Sequence, residues 1–435
     1  MKKRIQKILG DTDQKEILSK GFSFLVFRIL GAVVGYLFIF YVSNTYGADI
    51  YGLIALGLSM FLIISEFGRL GLDTNIVKFF SQDKHDSEAG IFFKSLGISF
   101  FASSFLAWVV YYFSDVIVLK FYQEPKPELL EYLPWILFAI PFWNIAMISA
   151  SFLRAKKRNN AFAFLNNPSR FLFSLLLVIF ISYFFEKIPL NIVKAHFWGV
   201  IISAIIGLSM VFKSISGIEI KSKTKSIAFV KESFPMLLSS SILILLGLTD
   251  TQVLGVYESN TEIGIYNVSL KLAALTTFSL QAINSILAPK IARSYADNDE
   301  TNYKKLIAFS TKLNFIISTI IVIVMLTFHK YLLSLFGEDF ETGSQILIIF
   351  CVGQFVNSFS GSVGIILQMI GKQKVLQNFV FIAFIINLIL TFALTPRYGG
   401  LGAATATVIS MLFWNIGSAI YLKKRMNITS YYTFK

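Results

Sequence analysis

Two basic residues, Arg28 and Lys271, lie within long apolar stretches rather than at their ends. A cation in hydrocarbon costs about 2.5–3.5 kcal/mol on insertion scales, so one retained there needs a counter-charge or a water-filled lumen. Each stands about seven residues inside its stretch, roughly 10 Å deep at 1.5 Å per residue, and the two approach from opposite faces. In a core about 30 Å thick their depths agree to within about 10 Å, which suits joint binding of one anionic group near the middle. Gly21, Gly31 and Gly35 share Arg28's helical face, and Asn267 lies one turn from Lys271. Two alternatives stay open: Arg28 snorkelling to the inner headgroups, and Lys271 pairing with a buried acid such as Asp250.

Acids are sparse in the apolar stretches. Glu66, Arg69 and Asp73 are spaced i,i+3 and i,i+4, a pattern that neutralises itself. Glu66 as a proton site is the sharper alternative. Asp250 falls near the outer end of its stretch, where it is expected to be interfacial or to couple an ion, H+ or Na+. Gln354, Asn357, Gly361, Gly364 and Gln368 fall within about 80° on a helical wheel, a polar stripe expected to line a wet cavity. Arg170, beside Asn166 and Asn167, is placed either as a guard of the inner entrance or as a positive-inside anchor. No GxxxxGK[ST] or HExxH pattern occurs, so ATP hydrolysis and zinc hydrolase chemistry have no motif to rest on. One cysteine, Cys351, excludes an internal disulfide, and His85, His196 and His329 are scattered. No resident cofactor or metal is expected.

The elements that must position these residues are membrane helices. Of 435 residues, 55% are hydrophobic and 15% charged, against about a quarter charged in soluble domains. Twelve stretches can span a core about 30 Å thick: 21–42, 51–72, 92–113, 132–152, 164–184, 195–212, 233–254, 264–287, 313–329, 344–368, 375–395 and 401–422. Alternate connections divide the basic residues 31 to 6, placing both termini in the cytoplasm and turning the net +14 from a nucleic-acid signal into an orientation signal. A weak self-match at an offset of 215 aligns Asp49-Ile50-Tyr51 with Gly264-Ile265-Tyr266 and Lys157 with Lys372. It implies a parallel repeat of two six-helix halves. The expected organisation is a retained amphipathic cytoplasmic segment 1–20, a first bundle 21–212, a lysine-rich linker 213–231, a second bundle 232–422 and a cytoplasmic tail 423–435. Connections this short leave no soluble catalytic domain.

Three segments, VSNTYGADIYGLIALGLSMFLIISEFGRLGLDTNIVKFF, LTDTQVLGVYESNTEIGIYNVSLKLAAL and YGGLGAATATVISMLFWNIGSAIYLKKR, resemble the Wzx-type polysaccharide flippases of the superfamily that holds the lipid II flippases and MATE exporters. The resemblance covers almost the whole chain. It implies an all-α integral membrane fold, two six-helix bundles in a V-shaped transporter, carrying an undecaprenyl-diphosphate-linked oligosaccharide from the inner to the outer leaflet by alternating access. Arg28 and Lys271 stand on the helices that carry cavity cations in relatives. The implied partners are that lipid-linked glycan and the membrane lipids, with a glycan polymerase and glycosyltransferases of the same pathway. The chain is expected to act as a monomer in the inner membrane and to bind no nucleic acid. A twelve-helix chain with a short tail departs from the lipid II flippase branch, which adds two helices. The alternatives are a MATE-like cation antiporter, which would need cavity acids, and a membrane glycan polymerase or ligase, which would need a large outer loop.

Overall fold

The computed structural model describes residues 12–81, 89–215, 222 and 224–433, with side chains throughout except 12–25, 285 and 286. His85, the side chain region of Gly21, residues 1–11 of the amphipathic segment and most of 216–223 in the linker lie outside the described residues.

Every long element is a helix, and no strand occurs among the described residues. They are α1 (Thr12–Arg69), α2 (Leu72–Phe80), α3 (Gly90–Tyr112), α4 (Pro127–Ala155), α5 (Asn159–Asn166), α6 (Ser169–Phe184), α7 (Leu190–Ser214), α8 (Ser226–Tyr257), α9 (Asn260–Ala274), α10 (Thr277–Ala296), α11 (Glu300–Thr327), α12 (His329–Ser334), α13 (Ser344–Ser360), α14 (Val363–Met369) and α15 (Gln373–Met426). Eight helices among the described residues are long and apolar enough to cross a membrane, or ten if two bent pairs each count as one span. Two of the eight exceed a single crossing. The described apolar part of α1 runs 44 residues and α15 runs 54, about 66 and 80 Å at 1.5 Å per residue, twice a core of about 30 Å. Each breaks once, at Gly47 (φ 84°, ψ 174°) and Gly399 (φ 53°, ψ −136°). Glycine has no Cβ to clash in those backbone regions. The Glu262 Oε1 atom accepts from the Gly400 N–H at 3.1 Å and holds the second break.

The helices are turned inside out relative to those of a water-soluble protein. On α3 the buried line is Ser95, Ser99, Ser103 and Ala107, while Phe101, Phe105, Trp108 and Tyr112 are all more than half exposed. Small residues at i,i+4 let helix backbones approach, and large apolar side chains face outward, as lipid requires. Hydroxyls buried this way bond back along their own helix, as Ser95 Oγ does to the Ile91 carbonyl at 2.8 Å.

Contacts divide the chain into two units: residues 1–42 with 56–244, and residues 43–55 with 245–435. The division therefore falls inside α8 rather than in the 213–231 segment, of which 226–231 is already helix. The first unit centres on Phe80, Phe92, Phe152 and Leu165, the second on Ile307, Val363, Ile366 and Leu422. Residues 43–55 join the second unit through a glycine crossing. A Cβ on Gly52 would fall 1.7 Å from the Asn260 carbonyl oxygen, and one on Gly264 would fall 2.3 Å from that of Ala48.

Candidate functional site

In the first unit the span that carries Arg170 is broken. Asn167 precedes Pro168, whose ring disfavours helical backbone in the residue before it, and α5 and α6 meet at a 50° bend there. Arg170 follows as the second residue of α6. It is buried. Its guanidinium lies 4.4 Å from the ring centre of Phe171, 5.2 Å from Trp143 and 5.3 Å from Phe61. Such contacts stabilise a desolvated cation by about 2 kcal/mol without neutralising it. Its Nη1 has no hydrogen-bond partner. His196, wholly buried, packs edge-on to Phe61 with ring centres 5.2 Å apart, and its Nε2 also lacks a partner.

The α1 helix, three residues beyond Arg28, meets the same junction. A Cβ on Gly31 would come within 2.8 Å of Asn167 Cβ, so the small-residue face of α1 that holds Arg28 lies against the α5–α6 break. Among the described residues no ion pair forms with Arg28 or Arg170. Glu66 is engaged elsewhere. Arg69 Nη2 donates to Glu66, Arg69 Nε to Asp73 Oδ2 at 3.1 Å and Arg69 Nη1 to Ser65 Oγ at 2.8 Å, so the acid is held by the neighbours that its spacing anticipated.

The second unit holds Lys271 and Asp250. The span around Lys271 bends by 42° just beyond it, between α9 and the helix that follows. Lys271 occupies the last turn of α9 and is exposed, where the carbonyl end of a helix favours a cation. Asn267 does not share its surroundings. It is buried, donates to the Ile263 carbonyl at 2.9 Å and accepts from Thr251 Oγ1 at 3.2 Å. The polar stripe of Gln354, Asn357 and Gln368 is also divided, because Gly361 (φ 76°) ends α13 and turns α14 out of its register. Asn357 Nδ2 donates to Gln354 Oε1 at 3.2 Å, and Gln368 stands exposed beyond the break.

Asp250 sits at the centre of a polar cluster and is 2% exposed. Asn387 Nδ2 and Thr391 Oγ1 each donate to Oδ1 at 3.0 Å, Tyr266 Oη donates to Oδ2 at 3.0 Å, and Thr407 Oγ1 donates to Oδ2 as well. No lysine or arginine is among these partners, which removes the pairing of Lys271 with Asp250. The Asn387 Oδ1 atom beside it is buried with no partner. A carboxylate, an amide oxygen and hydroxyls form an oxygen-rich cluster of the kind that holds a proton or a hard cation. One signal for it was legible: Asn387, Thr391 and Thr395 recur every four residues on one apolar helix. Among the described residues no group of three His, Cys, Asp or Glu could hold a metal ion.

Apolar helices broken at their cations, with buried ionisable residues among them, are the elements of a multi-pass membrane transporter. The polysaccharide biosynthesis protein family matches residues 17–295, more than half of the chain, and the chain belongs to that family. The MatE family matches residues 235–393. The chain is 24% identical over 185 residues to a probable low-salt glycan biosynthesis flippase of Haloferax volcanii, covering 42% of this chain and 39% of that protein. Its matches span about half the length or less of the first curated relatives, 39%, 52% and 53%. Among solved structures it resembles the lipid II flippase MurJ in its inward closed conformation, with TM-score 0.73, 16% identity and coverage of 92% of this chain and 87% of that one. It also resembles an inward-facing MATE multidrug transporter of the MOP superfamily, with TM-score 0.76, 13% identity and coverage of 93% and 94%. These likenesses establish the fold.

Proposed function

We propose that the protein is a flippase that carries an undecaprenyl-diphosphate-linked oligosaccharide from the inner to the outer leaflet of the cytoplasmic membrane by alternating access. The observation that carries this reading is the meeting of Arg28's helix face with the break that bears Arg170, two cations in apolar spans with no acid paired to either. An anionic headgroup supplies the charge they lack. The diphosphate and sugars would face a prohibitive barrier in bare hydrocarbon, and cations held ready in the protein lower it while the prenyl tail stays in lipid. Lys271, at the bend of its own span in the second unit, is proposed as a further substrate-binding residue. In this reading Gly47 and Gly399 each separate two crossings, giving twelve spans with the bent pairs, and the bias of basic residues places both termini in the cytoplasm. An inside-negative potential assists outward movement of the headgroup by about 2.3 kcal/mol per charge per 100 mV.

The buried Asp250 cluster supplies a coupling site for H+ or Na+, whereas Glu66 serves the Arg69 network. Asp250 also favours the second reading, a cation antiporter, because a buried carboxylate is what a cationic substrate would require. The two separate in one experiment. Arg170→Ala, Arg28→Ala and Lys271→Ala are expected to abolish surface display of glycan in cells that depend on this transporter, with normal amounts of protein in the membrane. Undiminished glycan export by the triple variant, or resistance to a cationic drug that depends on Asp250 alone, would overturn the flippase assignment.

A further inference from the structure

The second unit contains a cavity of about 700 Å³ lined by Lys304, Lys305, Lys312 and Lys423 together with Phe309 and Tyr431. None of these residues belongs to the transport machinery described above. Residues 427–433 build its wall. Asn427 ends α15 in a left-handed conformation, Thr311 Oγ1 donates to the Ser430 carbonyl at 2.7 Å, and the Tyr432 N–H donates to the Phe359 carbonyl at 2.9 Å. Ile428 and Ser430 are wholly buried, and Tyr432 stacks on Phe315 with ring centres 4.5 Å apart. The segment is thus fixed against α11 and α13, and the lysines are gathered by a built wall.

Lys304 is paired with Glu300. Among the described residues no carboxylate pairs with Lys305, Lys312 or Lys423, and Lys423 Nζ donates only to the Thr429 hydroxyl at 3.0 Å. Three uncompensated amines around one cavity repel each other until an anion enters. The surface beside them shows its form. At 100° per residue, Lys305, Lys312, Ile316, Ile320 and Ile323 all fall within about 60° of Phe309 on α11. Phe309, Ile316, Ile320 and Ile323 are 59%, 45%, 57% and 57% exposed. From Lys312 to Ile323 this stripe rises about 16 Å, one leaflet of hydrocarbon. A phosphate-binding head above an exposed apolar stripe of acyl-chain length fits a phospholipid better than a free anion.

We propose that this cavity is a binding site for the phosphate headgroup of an anionic phospholipid, with the acyl chains lying along the exposed face of α11. Basic pockets between membrane helices near the cytoplasmic surface take such headgroups. The bound headgroup neutralises the lysines and ties residues 427–433 to α11, so it also stabilises the second unit.

The test uses the purified full chain in detergent, with phosphatidylglycerol or phosphatidylcholine added at equal concentration and retention read by native mass spectrometry. Wild type is expected to retain phosphatidylglycerol in preference. At about 1 kcal/mol per lysine, each of Lys305→Gln, Lys312→Gln and Lys423→Gln weakens retention about fivefold, and the three together about a hundredfold. A triple variant with arginine at the same positions keeps it, which separates loss of charge from loss of fold. Equal retention of the two lipids by wild type, or unchanged preference in the glutamine triple variant, overturns the site. Stabilisation by inorganic phosphate alone, dependent on the same lysines and without lipid preference, overturns the lipid as its source. Retention needs no glycan and no transport, so the result is independent of the flippase assignment.

Discussion

Asp250 shows how much one buried residue organises. Four side chains from three other helical segments converge on its two oxygens, so its removal strands several buried donors. Asp250→Ala is expected to lower stability by about 3 kcal/mol, the cost of leaving buried donors unmet, read as a fall in the thermal unfolding midpoint in detergent. Asp250→Asn keeps an acceptor and most of that stability but cannot carry the charge. Transport into proteoliposomes by this variant should lose its dependence on an imposed H+ or Na+ gradient, and an unaltered gradient response would remove Asp250 from coupling. Arg170 is the counterpart in the first unit. Its aromatic surroundings stabilise the cation without neutralising it, and under the proposed function Arg170→Met is expected to keep the protein in the membrane and lose glycan export.

At the scale of elements, breaks and close crossings do the positioning. The bends beside Arg170 and Lys271 put cations at helix ends, where backbone groups are free of intrahelical bonds. The crossing of residues 43–55 over α9 depends on having no side chain at all. Gly52→Ala places a Cβ 1.7 Å from a backbone oxygen, and overpacking of this sort costs about 1–3 kcal/mol or more. Its monodisperse fraction on size-exclusion chromatography should collapse. Gly97→Ala is the control, because a Cβ there meets nothing within 4 Å and alanine is the better helix former by about 1 kcal/mol. Equal behaviour of the two variants would contradict the crossing.

For the molecule as a whole, the division of basic residues between alternate connections sets the expected orientation, because lysine and arginine resist translocation. A fluorescent protein fused after Lys435 should fold and fluoresce, and alkaline phosphatase fused there should stay inactive; the reverse pattern would invert the topology. The all-helical membrane fold was legible in apolar windows, since the hydrocarbon penalty is local and adds residue by residue. Less of the site was legible. Arg28, Lys271 and the Glu66–Arg69–Asp73 spacing stood out because they are exceptions or neighbours within one helix. The stripe from Gln354 to Gln368 misled, because a wheel assumes a straight helix and Gly361 ends it. Asn267 misled in the same way, since sharing a face with Lys271 says nothing about what packs against each.

The sequence by itself determined that this chain is built of apolar membrane helices and which cations lie within apolar stretches, because those costs are paid by each segment separately. Only the tertiary structure decided that Asp250 is buried and met by residues 16 to 157 positions away, that Arg170 lies in an aromatic cage, and that residues 427–433 fold back to line a lysine-bearing cavity. Those outcomes depend on which helices pack together, and no local rule encodes a contact between positions so far apart.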